Sequence, residues 1–303
     1  MAIEQPTIVG DSFALGYRFQ RYWTGSMASA FFFGELGAGL FIVSLFYDVV
    51  PGMIAGLLAT GVLKPYFHLS HMGVPGNSWR AIMRPDRAWI SRGMIAIAVF
   101  VVFGVLHLLL RTGGIFGLNI SGVGSTVSQA VMIISVMAAL GVMLYHGFAI
   151  SHSTAISLWS TGLMPVAGVM YAFLAGASLT AVLGWNAVAP DRPALATVTL
   201  VLLAGTAIVL LSLISAALNG APGARVSMNL LLRGPFARVF VPVVLGVGLV
   251  LPLLLLVLAP ASRVSSLLVA ISVLVGYYAF RTFIFKAGVY DPIMSFAPTL
   301  GAR

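Results

Sequence analysis

The chain has 303 residues, of which 60% are hydrophobic and only 8% are charged, and its mean hydropathy is +1.07. A soluble domain of this length needs more charge to hydrate its surface, so the composition excludes the soluble globular classes. The net charge of +9 then indicates basic loops of a membrane protein rather than nucleic-acid binding. Because the sequence contains no cysteine, the chain cannot hold an iron–sulfur cluster or zinc through thiolates.

The N-terminal segment differs from the rest of the chain. Residues 1–25 lack the apolar stretch of a signal peptide and carry Glu4 and Asp11. Aromatic residues are mixed with Arg18 and Arg21 just before the first apolar run, a composition typical of segments that lie at a membrane interface. We therefore predict that residues 1–25 form an N-terminal interfacial segment.

Long apolar runs recur from residue 26 to the C-terminus, each close to the length of about 20 residues that crosses a bilayer as a helix. They are apolar on all sides, which favours helices over the alternating strands of a barrel. We predict an all-α integral membrane protein with about eight transmembrane helices. They are expected to form two four-helix bundles, over 26–150 and over 151–303 with the C-terminal tail. The predicted helices lie near 26–48, 51–71, 93–111, 127–150, 162–184, 195–218, 239–258 and 265–286.

Basic residues are distributed unequally across the predicted membrane. Thirteen, Lys64 among them, fall on the side of the two termini, and three fall on the other side: Arg111, Arg192 and Arg263. Because cytoplasmic loops carry the excess of positive charge, both termini are predicted to be cytoplasmic. The expected location is the bacterial cytoplasmic (inner) membrane, as a multi-pass protein.

Glu35 lies inside the first predicted helix, roughly 13 Å from its start at the rise of an α-helix. A carboxylate at that depth costs on the order of 3 kcal/mol and should face the bundle interior or a water-filled cavity. It could accept protons or bind a ligand, or it could form a structural pair with a buried Arg or His. Arg281 in the last helix could be that partner, or could extend to the cytoplasmic face. Gly39 could leave room beside a flat ligand, although close helix packing explains it equally well.

Histidines are concentrated at the cytoplasmic ends of the predicted helices. His68 and His71 share one face at the end of the second helix. A neutral imidazole can donate a hydrogen bond to a quinone carbonyl and exchange a proton near neutral pH, although interfacial histidines bonded to loop carbonyls fit the same pattern. Tyr145 and His146 lie on the same side at the end of the fourth helix, so His146 is a candidate second donor.

The longest cytoplasmic loop, over residues 72–92, is rich in arginine. Arg80, Arg84, Arg87 and Arg92 could bind acidic patches of a soluble partner subunit. Topology signalling and contact with lipid headgroups fit the same arginines.

Several of these motifs together resemble the NrfD/PsrC/DmsC family of membrane anchors. The glycine-rich stretch around Glu35 at 34–39 fits the family, as do the His-Leu stretch leading to a proline at 68–75 and the Trp-x-Ser-Arg-Gly pattern at 89–93. The C-terminal stretch 281–292 is similar to the family's ending. The resemblance covers the whole chain in the number of predicted helices and is most specific over residues 34–93.

This resemblance implies a haem-free subunit that exchanges electrons between membrane quinone, either menaquinone or ubiquinone, and an iron–sulfur subunit. That partner would carry four clusters and would serve a molybdopterin catalytic subunit. On this hypothesis Glu35, His68 and His71 take part in the redox and proton chemistry, and no metal site is expected in this chain. The expected quinone-binding residues are Glu35, Gly39, His68, His71, Arg80, Tyr145 and His146.

Two other functions fit parts of the sequence. A b-type cytochrome anchor would use His68 or His71 with His146 or His152 as axial haem ligands. A proton-coupled secondary transporter would fit the eight helices and the buried carboxylate.

Overall fold

The structure is a computed structural model that describes residues 16–113, 124–185, 194–259 and 262–291. In this part of the chain, eight helices are long and apolar enough to cross a membrane, which confirms the predicted all-α integral membrane fold. The helices are α1 (Gly25–Tyr47), α2 (Val50–His71), α3 (Trp89–Thr112), α4 (Ser125–Ser151), α5 (Leu163–Leu183), α6 (Leu195–Asn219), the shorter α7 (Pro222–Leu232), α8 (Ala237–Leu258) and α9 (Arg263–Lys286).

Several helix ends follow from local sequence. Pro51 and Pro222 stand in the first turns of α2 and α7, where the missing N–H of proline leaves no helical hydrogen bond unmade. The Ser262 hydroxyl caps α9 by accepting a hydrogen bond from the backbone N–H of Ser265 at 3.1 Å. Gly113, with a φ of 74°, follows α3 in the left-handed conformation that glycine adopts most easily.

Two of the membrane-crossing helices contain a π-helical stretch. The stretch spans Ala59–Leu63 in α2 and Val241–Val250 in α8. Because a π turn holds more residues than an α turn, it changes the face on which the following residues lie. In α2 the stretch ends directly before Lys64, which is buried although its neighbour Leu63 is exposed.

α1 is the central helix. In its most apolar window 78% of the residues are buried inside the protein, compared with 17% in α8. It contacts α2, α4, α5 and α9. The contact with α5 is close because small residues meet there: a methyl group at Gly176 would lie 2.7 Å from the carbonyl carbon of Gly39. α1 and α5 thus join the first four membrane helices to the last four, while the domain boundaries at residues 25 and 150 stay a prediction.

The two ends of the described chain are tied together. Strand β1 (Arg18–Phe19) pairs antiparallel with β2 (Val289–Tyr290), which follows α9. The Gln20 side chain adds a hydrogen bond from Nε2 to the carbonyl of Phe285 at 2.7 Å. The part of the predicted interfacial segment over residues 1–15 lies outside the described residues, and the cytoplasmic orientation of both termini stays a prediction.

Candidate functional site

Glu35 of α1 forms an ion pair with Arg281 of α9, and both side chains are completely buried. Arg281 Nε donates to Glu35 Oε2 at 2.9 Å, and its Nη2 donates to Oε1. The hydroxyl of Tyr277, one turn before Arg281, donates to the same Oε2. The structure therefore selects one of the two interpretations of Arg281: it pairs with Glu35. With three donors around it, the carboxylate is compensated in charge and in hydrogen bonding.

His146 of α4 lies beside this ion pair. Its Nδ1 is 3.9 Å from Glu35 Oε1, and its ring packs against Phe31 and Tyr145, with centroid distances of 4.5 and 4.1 Å. Among the described residues, neither ring nitrogen has a hydrogen-bond partner, although both are buried. Buried polar atoms without partners are uncommon and often mark a site for a ligand, ion or water.

Lys64 of α2 also reaches this site, and its burial there was not expected from the sequence. It is only 3% exposed, and its Nζ lies 5.3 Å from the centroid of the Tyr145 ring, within the range of a cation–π contact. In the sequence, Lys64 is one of the thirteen basic residues on the side of the termini. Its position inside the predicted 51–71 helix was the feature from which a buried lysine could have been predicted.

Glycines make the room for these side chains. A methyl group at Gly34 would lie 2.5 Å from His146 Cε1 and 2.9 Å from Lys64 Cδ. A methyl group at Gly168 of α5 would lie 2.5 Å from Arg281 Nη2. Neither position accepts a side chain without displacing a charged or titratable group. We call the set that meets here the buried polar cluster: Glu35, Lys64, Tyr145, His146, Tyr277 and Arg281.

His68 and His71 lie outward from this cluster along α2. His68 is half-buried, and its Nδ1 is buried without a hydrogen-bond partner among the described residues. His71, at the end of the helix, is also half-buried, with its Nδ1 3.2 Å from the hydroxyl of Ser26. Lys64, His68 and His71 are spaced by four and three residues and so share one face of the helix.

Two other predicted quinone-binding residues lie in different surroundings. Gly39, one turn further along α1 than Glu35, packs against the backbone of Ala172 in α5. Arg80 is exposed in a 3-10 helix over Pro75–Met83, with its guanidinium 5.5 Å from the centroid of the Trp79 ring. A quinone-binding role for these two residues stays a prediction.

The four arginines predicted to dock a partner differ in their local contacts. Arg92 lies in the first turn of α3 and donates to two carbonyls of the preceding loop, of Pro85 at 2.8 Å and Asp86 at 3.0 Å. Arg87 pairs with Asp86 at 3.1 Å, with both side chains largely exposed. Arg84 is exposed, as Arg80 is. The docking role of all four stays a prediction.

A second ion pair lies at the other end of α1. Asp48, which ends this helix with a φ of 64°, pairs with Arg111 of α3, and their side chains are 48% and 39% exposed. His107, one turn before Arg111, is buried, and neither of its ring nitrogens has a hydrogen-bond partner in the described ranges. At the rise of an α-helix, Asp48 is about 20 Å from Glu35 along α1, so the two ion pairs lie at different depths.

Comparison with known protein families finds a match over most of the chain. The model of the family described as "Polysulphide reductase, NrfD" matches residues 16–291, which includes every helix and strand named above. Among curated proteins, none matches the chain.

Proposed function

The chain belongs to the NrfD family, and from this membership we propose that it is the quinone-reactive membrane subunit of a molybdopterin oxidoreductase complex. It would exchange electrons between membrane quinone, menaquinone or ubiquinone, and an iron–sulfur subunit. Because the sequence has no cysteine, thiolate-bound clusters have to lie in that partner. The eight apolar helices provide the anchor, and the bacterial cytoplasmic membrane is the proposed location.

The observation that carries this proposal is the buried polar cluster, whose member Lys64 lies one helical turn from His68 along α2. A quinone site needs apolar walls and a few placed donors for the two ring oxygens. His68 Nδ1 and both ring nitrogens of His146 are buried without hydrogen-bond partners among the described residues, so they are available for such oxygens. Of these two histidines, His68 is half-buried and His146 is completely buried, so a ring entering from the end of α2 would meet His68 before His146.

Proton transfer is the chemistry that these residues can supply. Reduction of a quinone to a quinol takes two electrons, which would come from the iron–sulfur subunit, and two protons. His68 and His71 lie between the end of α2 and the cluster, and imidazoles exchange protons near neutral pH. Glu35, fixed by Arg281 and Tyr277, would orient His146 and offset charge that develops on it. Quinol oxidation would use the same groups in reverse.

A haem held by His146 fits this geometry less well. An axial ligand needs an open path from its ring nitrogen to the iron. A methyl group at Gly34 would lie 3.0 Å from His146 Nε2, so α1 passes close to that nitrogen and leaves less room for a haem plane than for a single quinone oxygen. The ring centroids of Phe31 and Tyr145 lie only 4.5 and 4.1 Å from that of His146, which limits the space around the imidazole further.

The 72–92 loop is the proposed docking surface for the iron–sulfur subunit. Arg80, Arg84 and Arg87 project exposed side chains there, and His71 lies directly before the loop. An iron–sulfur cluster in a subunit docked on this loop would be close to a quinone at His68. Electron transfer requires such a short distance. In this proposal the loop, both termini and the partner subunits are cytoplasmic.

The test compares quinone-linked and dye-linked activity of the assembled complex. His68→Ala is expected to lower quinone-linked turnover by about 100-fold, the lower limit for removing a proton-transfer group, and to leave activity with a soluble redox dye unchanged. His152→Ala, an exposed histidine at the end of α4, is the matched control and should change neither. Unchanged quinone-linked turnover in both His68→Ala and Glu35→Gln would overturn the site.

A further inference from the structure

We propose that Lys64 binds the ring oxygen of the quinone in its reduced, anionic form. This inference rests on the proposed function. It adds Lys64 to the quinone-binding residues and a preference for the anionic form of the ligand. The site would then favour a deprotonated quinol over a neutral quinone.

The local structure of α2 turns Lys64 inward. The π-helical stretch Ala59–Leu63 ends directly before it, and the following Lys64–His71 segment resumes α-helical geometry. The side chain then passes beside Gly34, where a methyl group would lie 2.9 Å from Lys64 Cδ. π turns are frequently found at functional sites. Without this wide turn, Lys64 would take a different position around the helix.

The charges of the buried polar cluster are not balanced. Glu35 is the one carboxylate within the eight membrane helices that the structure describes, and Arg281 already pairs with it. Lys64 forms no ion pair with any residue in the described ranges. With Lys64 and Arg281 protonated and Glu35 ionised, the cluster carries one positive charge in excess. An unpaired charge inside a membrane protein is costly, and an anionic ligand would offset it.

The position of Lys64 suits such a ligand. It lies on the same face of α2 as His68 and His71, about 10 Å deeper than His71 at the rise of an α-helix. When a quinol hydroxyl loses its proton to an unpartnered imidazole, of His68 or His146, the oxygen keeps the electron pair and becomes an anion. The ammonium group of Lys64 would hold that oxyanion while two electrons leave the ring for the iron–sulfur clusters of the partner. The second hydroxyl proton passes to the other of these two imidazoles as the quinone forms.

The experiment measures binding of two naphthoquinones to the purified complex. The first is 2-hydroxy-1,4-naphthoquinone, which is an anion at neutral pH; the second is neutral 2-methyl-1,4-naphthoquinone. Lys64→Met should weaken binding of the anion by about thirtyfold or more, as truncation of one partner of a buried charge pair does, and leave the neutral compound nearly unaffected. Lys286→Met removes the only other lysine of the chain, which is exposed, and should change neither affinity.

Each alternative result overturns the proposal in a different way. Equal losses for both compounds would mean that Lys64 only supports the fold, and no loss for either would mean that it does not reach the ligand. Failure of the neutral compound to displace the anion would assign the anion to a separate site. If Lys64→Met does not assemble, Lys64→Gln gives the same comparison. Binding of neither compound to the unaltered complex would overturn the proposed function itself.

Discussion

The two ion pairs of α1 have the same chemistry in different surroundings. Glu35 and Arg281 are completely buried and join the first membrane helix to the last, whereas Asp48 and Arg111 are 48% and 39% exposed and join α1 to α3. Water screens the second pair and solvates either partner when the other is lost. Water does not reach the first pair, so removing one partner leaves a buried charge uncompensated. The two pairs therefore differ in how much of the structure depends on them.

The largest effect is expected when the buried pair is broken on one side. Arg281→Met leaves Glu35 buried without its partner and should lower the free energy of unfolding by about 3–5 kcal/mol. Thermal unfolding of the purified complex in detergent measures this loss. The double variant Glu35→Gln with Arg281→Met has no buried charge left at this position and should recover part of it. Equal losses in the single and double variants would contradict a role for the uncompensated charge.

A smaller effect is expected when the space around the buried pair is filled. In Gly168→Ala the added methyl group would lie 2.5 Å from Arg281 Nη2 and 2.7 Å from Glu35 Oε1. Overpacking of this kind costs about 1–3 kcal/mol. Gly162→Ala is the matched control, because no atom lies within 4 Å of the methyl group it would add. The same unfolding measurement should separate the two variants, and similar stabilities would show that the pair tolerates displacement.

The smallest effect is expected at the exposed pair. Asp48→Asn removes the charge while keeping a residue that tolerates the positive φ at this position. Exposed pairs contribute about 0–1 kcal/mol, so the loss should be within that range and should vanish at about 1 M salt, where charges are strongly screened. A loss as large as that of Arg281→Met, or one insensitive to salt, would show that water does not screen this pair.

The membrane helices were predictable from the sequence because bilayer thickness fixes the length of an apolar helix. All eight apolar runs correspond to helices, and the predicted start of the third, at residue 93, differs by four residues from Trp89. The missed elements are short and partly polar: α7, and the β1–β2 pairing between the two ends of the described chain. Neither has a length or a periodicity that separates it from a loop.

The buried polar cluster was only partly predictable. Glu35 and His146 are conspicuous as polar residues within apolar runs. The pairing of Glu35 with Arg281 spans 246 residues and depends on how α1 packs against α9, which local sequence does not determine. Lys64 was missed because its side chain could have extended to the water at the helix end. Its inward direction comes from the π-helical stretch before it, and such a stretch has no simple sequence pattern.

The pairing of the first membrane helix with the last has a consequence for biosynthesis. Glu35 leaves the ribosome 246 residues ahead of Arg281, which at cellular rates of translation is roughly 10 to 50 s. During that interval α1 lies in the membrane with an acidic group that has not met its partner. Protonation of the carboxylate, or a temporary contact with the insertion machinery, has to neutralise its charge during this interval. A chain truncated before α9 would keep that group unmatched permanently, and we expect membrane quality-control proteases to degrade it.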